Sequence, residues 1–150
     1  MLTRTHFILS VFVLLLIYPQ LTNPIIFSIF FILAAFFPDI DSRNSKIGKN
    51  IFLRPLQWII SHRGIFHSIF ALSVFSAVIY VFNSNAAIGF FLGYLFHLFL
   101  DAITIQGVKP LYPLTNLKIS FILKSGSIIE ETIFILFLIF DIFLLIKIIF

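Results

Sequence analysis

His97 and Asp101 stand four residues apart inside the apolar run Phe96-His97-Leu98-Phe99-Leu100-Asp101. On a helix that spacing puts both side chains on one face, with Cβ atoms about 5–6 Å apart. Such a pair can hold one ion, or the carboxylate can orient the imidazole; a simple helix-end hydrogen bond is the bland alternative. His62 and His67 are five apart. On one straight helix they would diverge by about 140°, so they converge more easily if His62 lies in a loop and the helix begins near Gly64. Asp39 and Asp41 flank Ile40 just after Pro38. In an extended turn the alternation aims both carboxylates the same way. Glu130 and Glu131 are adjacent, so at most one faces a site comfortably, and acids at a helix start are favoured by the dipole in any case.

Each signal is weak alone, and the set is stronger. The chain has four His, six acids and no Cys. Any metal must therefore be held by imidazole and carboxylate, a donor set that suits Zn²⁺ first, with Mn²⁺ or Fe²⁺ also compatible. The donors exceed what one tetrahedral site needs, so two or more ions bridged by a carboxylate are compatible with the count. Such a site generates a nucleophilic hydroxide at neutral pH and stabilises charge on a phosphoryl or acyl oxygen.

The elements that must position these residues are membrane helices. Of the 150 residues, 61% are hydrophobic and 11% charged, where a soluble domain is closer to half apolar and a quarter charged. Lipid must cover part of this surface. Five apolar runs stand out: Phe7 to Tyr18, Pro24 to Phe37, Ile65 to Phe82, Ala86 to Ile103 and Ile128 to Phe150. A span needs about 20 residues, so the last three qualify and the first two are short. Asn23-Pro24 and Asn83-Ser84-Asn85 break the runs. Arg4 followed by an apolar run also fits a signal peptide, but Tyr18-Pro19-Gln20-Leu21 offers no small-residue cleavage site, so the segment is read as retained. The expected fold is all-α: one membrane-embedded domain over residues 1–150, a bundle of about five transmembrane helices.

Charge placement orients it. Arg4, the group from Arg43 to Arg63, and Lys109, Lys118 and Lys124 all fall on one side of an alternating five-span path. Positive loops stay cytoplasmic, which predicts a plasma (inner) membrane protein with its N-terminus in the cytoplasm. Lys147 falls on the far side, where it can snorkel outward. The loop from Pro38 to Arg63 contains an apolar stretch with Trp58 and Arg54, suited to the membrane interface. Gly107 to Gly126 has the same character. Ionisable groups near lipid are costly and ask for partners. On this path His6, Asp39, Asp41, His62, His67, His97, Asp101, Glu130 and Glu131 all lie in one layer at the cytoplasmic face. Asp141 is the exception, deep in the fifth run and inside the bundle.

Three strings then read together: Phe37-Pro38-Asp39-Ile40-Asp41, His62-Arg63-Gly64-Ile65-Phe66-His67-Ser68 and Gly93-Tyr94-Leu95-Phe96-His97-Leu98-Phe99-Leu100-Asp101. With Gly107 to Pro113 they resemble the YdjM-like family of membrane-bound, predicted metal-dependent hydrolases. That family is itself similar, more remotely, to the zinc-dependent phospholipase C and single-strand nuclease group. The resemblance implies that His6, Asp41, His62 or His67, and His97 with Asp101 match the order of that group's zinc donors. Glu130 joins them as a candidate ligand at the start of the last span.

The expected function is metal-dependent hydrolysis of a phosphoester, a phospholipid or another membrane-located substrate, at the cytoplasmic face. Asp39 or Asp41 would act as base or ligand, and Arg63 would hold the phosphate through its planar fork. The alternative is a non-catalytic membrane protein, a metal or ion transporter or an assembly factor, with a structural His/Asp cluster. Transport wants ionisable groups at the midplane, and only Asp141 lies there. A nucleic-acid substrate would want base-stacking aromatics in a polar groove, and no residue pattern supplies one.

Overall fold

The computed structural model describes residues 1–41 and 64–150. Helix α1 runs over Thr3–Ile17 and tightens into a 3₁₀ turn at Tyr18–Gln20. Helix α2 spans Pro24–Phe36, with Pro24 in its first turn where the missing N–H is not needed. A 3₁₀ turn over Phe37–Asp41 follows. A further 3₁₀ turn, Ile65–His67, leads into α3 at Ile69–Phe82. Helices α4, Ser84–Ala102, and α5, Ile128–Ile149, complete the bundle.

The class is the expected one, an all-α membrane bundle, but span lengths shift. Thr3–Gln20, Ser84–Ala102 and Ile128–Ile149 are long and apolar enough to cross a membrane, while Pro24–Ile40 and Ile69–Phe82 are shorter apolar helices. The first run therefore gains a turn over its expected start at Phe7. The third loses one, because Ser68 caps it and the helix starts at Ile69 and not near Gly64. The Ser68 side chain accepts from Ala71 N at 3.3 Å and donates to Ile65 O at 2.6 Å. This holds Ile65–His67 as a separate turn and delays the helix. Asn83 caps α4 in the same way, its Oδ1 accepting from Ala86 N at 2.9 Å.

The closest packing is between α2 and α4. Gly89 and Gly93 sit one turn apart on α4, and a Cβ on them would lie 2.5 Å from Phe27 O and 2.1 Å from Phe31 O. Small residues at this spacing let membrane helices approach backbone to backbone. Beside that seam lies a core cluster, Ala34, Ala71, Leu72, Phe90, Tyr94 and Leu98, with Phe37 and Phe75 packed against it and edge-on to one another. Close approach here fixes the heights of Asp39 and His97 relative to one another.

Helix α5 packs differently. Its buried residues are Glu130 and Asp141; Phe137 packs edge-on against Phe12 of α1 with centroids 4.7 Å apart, and most of the remaining apolar surface is exposed, where lipid must cover it. Asp141 is buried as its depth predicts, and neither carboxylate oxygen has a hydrogen-bond partner among the described residues.

The segment after α4 is more than an interfacial strip. Val108 and Ile119 exchange both backbone hydrogen bonds at 2.9 Å, and Ile69 N donates to Pro110 O at 2.8 Å. Gly107 turns the chain at φ +63°, with Ile119 O only 2.3 Å from where a Cβ would stand. Leu114, Phe121 and Ile122 stay exposed, as suits residues lying in a headgroup layer. The expected interfacial loop at 42–63 lies outside the described residues.

Candidate metal centre

Helix direction alternates along the chain. The start of α1, the end of α2, the start of α3, the end of α4 and the start of α5 therefore meet in one layer. Four polar side chains converge there. Asp39 is carried by the turn ending α2, His67 by the turn before α3, and His97 and Asp101 by the last turns of α4. One donor atom each from Asp39, His67 and His97 lies within 4.8 Å of the others. Asp39 Oδ1 is 3.9 Å from His67 Nε2 and 3.9 Å from His97 Nε2. Asp101 Oδ2 closes the group, 3.6 Å from His67 Nε2 and 4.0 Å from His97 Nε2.

These separations suit a cation. Two donors bound at about 2.1 Å to one tetrahedral ion stand about 3.4 Å apart. The observed pairs exceed that by a few tenths of an ångström, within reach of small side-chain rotations. The state of His97 fits as well. Its Nδ1 donates to Ala35 O at 2.8 Å, so the lone pair is on Nε2. That atom is buried and has no hydrogen-bond partner among the described residues. An imidazole whose other nitrogen donates to a backbone carbonyl is the usual arrangement of a metal-ligating histidine.

The neighbours hold the donors in place. His6 Nε2 donates to Asp101 Oδ1 at 3.2 Å, and the Met1 nitrogen lies 3.2 Å from the same oxygen. One oxygen of Asp101 is thus held while the other is presented to His67 and His97. The His6 ring also stacks on that of His97, with centroids 4.6 Å apart. In the structure His6, a candidate ligand on sequence, is a partner of Asp101 beside the group formed by Asp39, His67 and His97. Tyr94, which sequence reading passed over, donates from its hydroxyl to Phe66 O and braces the turn that carries His67.

Glu130, also read as a candidate ligand, is not in the converging group. It is fully buried and accepts from Leu2 N at 2.7 Å and from Gly126 N at 2.6 Å. Its place is at the α1–α5 junction, where Arg4 and Glu131 also pair at the surface. The Asp41 backbone ends the 3₁₀ turn after α2, but its carboxylate, together with His62 and Arg63, lies outside the described residues.

The family described as YdjM inner membrane protein matches residues 1–149 of the chain. This chain belongs to the YdjM family. It is 33% identical over 91 residues to the inner membrane protein YdjM of Escherichia coli, a match covering 55% of this chain and 46% of that protein. The protein of the same name from Shigella flexneri matches equally. The chain thus spans about half the length of these two relatives. It is 29% identical over 116 residues to the uncharacterized protein YvsG of Bacillus subtilis, covering 74% of this chain and 72% of that one. No solved structure matches. Membership of the YdjM family and the apolar helices together make this a membrane protein, with the His/Asp cluster as its candidate metal centre.

Proposed function

We propose that this YdjM-family protein is a metal-dependent hydrolase that cleaves a phosphoester of a membrane-located substrate, most simply a phospholipid. The observation that carries the proposal is the convergence of Asp39, His67 and His97 within 4.8 Å, completed by Asp101 Oδ2. Two imidazoles and the Asp101 carboxylate would hold one divalent ion, zinc first and manganese or iron otherwise, with Asp39 beside the fourth position. When bound, such an ion activates water and stabilises charge on a phosphoryl oxygen.

The protein's own groups divide the remaining work. His67 and His97 are fully buried and the Asp101 side chain is 3% exposed, whereas that of Asp39 is 19% exposed. Asp39 therefore marks the open side of the site, and a substrate head approaches there. It is the carboxylate placed to accept a proton from an attacking water. His6 keeps Asp101 Oδ1 occupied so that Oδ2 stays aimed inward. The site layer, at the ends of apolar helices, lies where lipid head groups meet the protein. On the charge asymmetry of the loops we place this layer on the cytoplasmic side.

The alternative is a metal or polar cluster that only ties helix ends together, in a transporter or an assembly factor. Structural sites close all positions around the ion, whereas catalytic ones keep one open; three inner donors with the part-exposed Asp39 beside the fourth position favour the second. The test is hydrolysis by the detergent-purified protein, with a chromogenic phosphodiester and a phospholipid offered separately. Phosphoester cleavage that is abolished by a chelator and restored by Zn²⁺ or Mn²⁺ is expected. Absence of cleavage of either ester by metal-loaded protein would overturn the enzyme reading in favour of the structural one.

A further inference from the structure

The segment between α4 and α5 is fastened to the elements that carry the candidate metal centre. Thr104 donates from its hydroxyl to Asp101 O at 2.8 Å, and Phe121 N donates to Ala102 O at 3.0 Å. Pro110 O accepts from Ile69 N at 2.8 Å, two residues beyond His67. Residues 104–124 are therefore held in the layer of the donors, beside α3 and the end of α4.

The composition of this segment is unlike that of a solvated loop. It carries Lys109, Lys118 and Lys124, and no acid occurs over 102–129. Orientation in a membrane calls for cations on one side but is nearly indifferent to acids. Topology thus accounts for the lysines and not for the missing carboxylates. None of the three ammonium groups meets a carboxylate among the described residues. Lys109 donates to Asn116 Oδ1 at 3.3 Å and Lys118 to Ile105 O at 3.2 Å. An ammonium has three donors, so both keep donors for a further acceptor. Gly107 leaves room for the Lys118 stem, whose Cε lies 3.0 Å from where a Cβ would stand. Among the lysines, Leu114 and Ile122 are 86% and 92% exposed, and Phe121 is exposed beside Ile122. Such side chains are better placed against acyl chains than against water. A nucleic acid would match the charge and leave them bare. Phospholipid heads of net negative charge satisfy both, with phosphate for the lysines and hydrocarbon just beneath it for Leu114 and Ile122.

We infer that residues 104–124 form a cationic platform that gathers negatively charged phospholipids beside the candidate metal centre, and that these are the substrate class. The second clause rests on the hydrolase reading; the first is measurable without catalysis.

The test uses the full chain in phosphatidylcholine vesicles with a trace of spin-labelled lipid, either phosphatidylglycerol or phosphatidylcholine. The motionally restricted share of each label gives their relative affinity for the protein. Phosphatidylglycerol should be favoured about fivefold at low salt, the worth of one lysine near an anionic surface. The preference should shrink at high salt, as screening requires. Replacing Lys109, Lys118 and Lys124 together by Gln should bring the ratio close to one. Lys147→Gln, in the last turn of α5, should leave it unchanged. Lys124→Gln serves if the triple variant misfolds, and should lower the ratio by itself. Equal affinity for the two lipids in the wild type overturns the inference, as does a triple variant that keeps the whole preference. Binding of an oligonucleotide that phosphatidylglycerol fails to displace overturns it in favour of a nucleic-acid partner. In the kinetic arm, the metal-loaded wild type should show a KM about fivefold lower for phosphatidylglycerol than for phosphatidylethanolamine of the same chains. The triple variant should lose that difference with kcat unchanged. Equal KM for the two lipids in the wild type overturns the substrate clause. A wild type that cleaves neither lipid sinks the hydrolase reading instead, and the spin-label arm still decides the platform.

Discussion

Replacing His97 with alanine is expected to remove stoichiometric metal binding and all hydrolysis while leaving the protein inserted and helical. Insertion rests on apolar surface that this change hardly touches. Metal binding rests on the Nε2 lone pair, which faces Asp39 Oδ1 at 3.9 Å and Asp101 Oδ2 at 4.0 Å. Alanine also strips the Nδ1 donor from Ala35 O, and a buried acceptor left bare costs about 1–3 kcal/mol. His97→Asn separates the two effects. Its amide can still donate to the carbonyl but cannot supply the imidazole lone pair, so metal is lost with less loss of thermal stability. Isothermal titration with Zn²⁺, beside a detergent-phase melt, reads both. Wild-type affinity in either variant would remove His97 from the site.

The second large effect is expected at Asp101. Sequence reading left two roles open for it, ligand or orienter of a ligand. The structure gives the two oxygens different neighbours: Oδ1 is held by His6 and Oδ2 faces both His67 and His97. Asp101→Asn should therefore weaken metal binding nearly as severely as His97→Ala. His6→Phe keeps a ring against His97 and leaves Asp101 Oδ1 with the Met1 nitrogen as its remaining partner, and it should cost only the roughly 10- to 100-fold usual for partners behind a ligand. Zinc competition against a chelating dye ranks the two. The reverse order would make His6 the ligand and Asp101 its support.

Much of this was legible because the polar residues are confined to run ends. In a chain this apolar, alternating spans bring His6, Asp39, His67, His97 and Asp101 to one layer whatever the packing angles. What the pattern does not reveal is which of them touch. His6 reads the same as a ligand or as the partner of a carboxylate, since both need only proximity. Glu130 sits at a helix start, as dipole and ligand readings both allow, but its oxygens are taken up by Leu2 N and Gly126 N. These are backbone donors that no side-chain pattern announces. The later start of α3 turns on one hydroxyl, that of Ser68, against an apolar run that continues through it. Sequence reading makes nothing of Gly89 and Gly93, although their spacing decides the α2–α4 approach. The short contacts within 104–123 come from a loop whose alternation is too brief to distinguish a bridge from a turn.

Metal analysis of the detergent-purified chain tests the central claim most directly. The account predicts at least one zinc, manganese or iron ion per chain, lost on chelation, taken up again with a rise in melting temperature, and absent from a variant lacking Asp39, His67 and His97. A wild-type protein that carries no stoichiometric transition metal, and that added Zn²⁺ or Mn²⁺ neither binds nor stabilises, would contradict it.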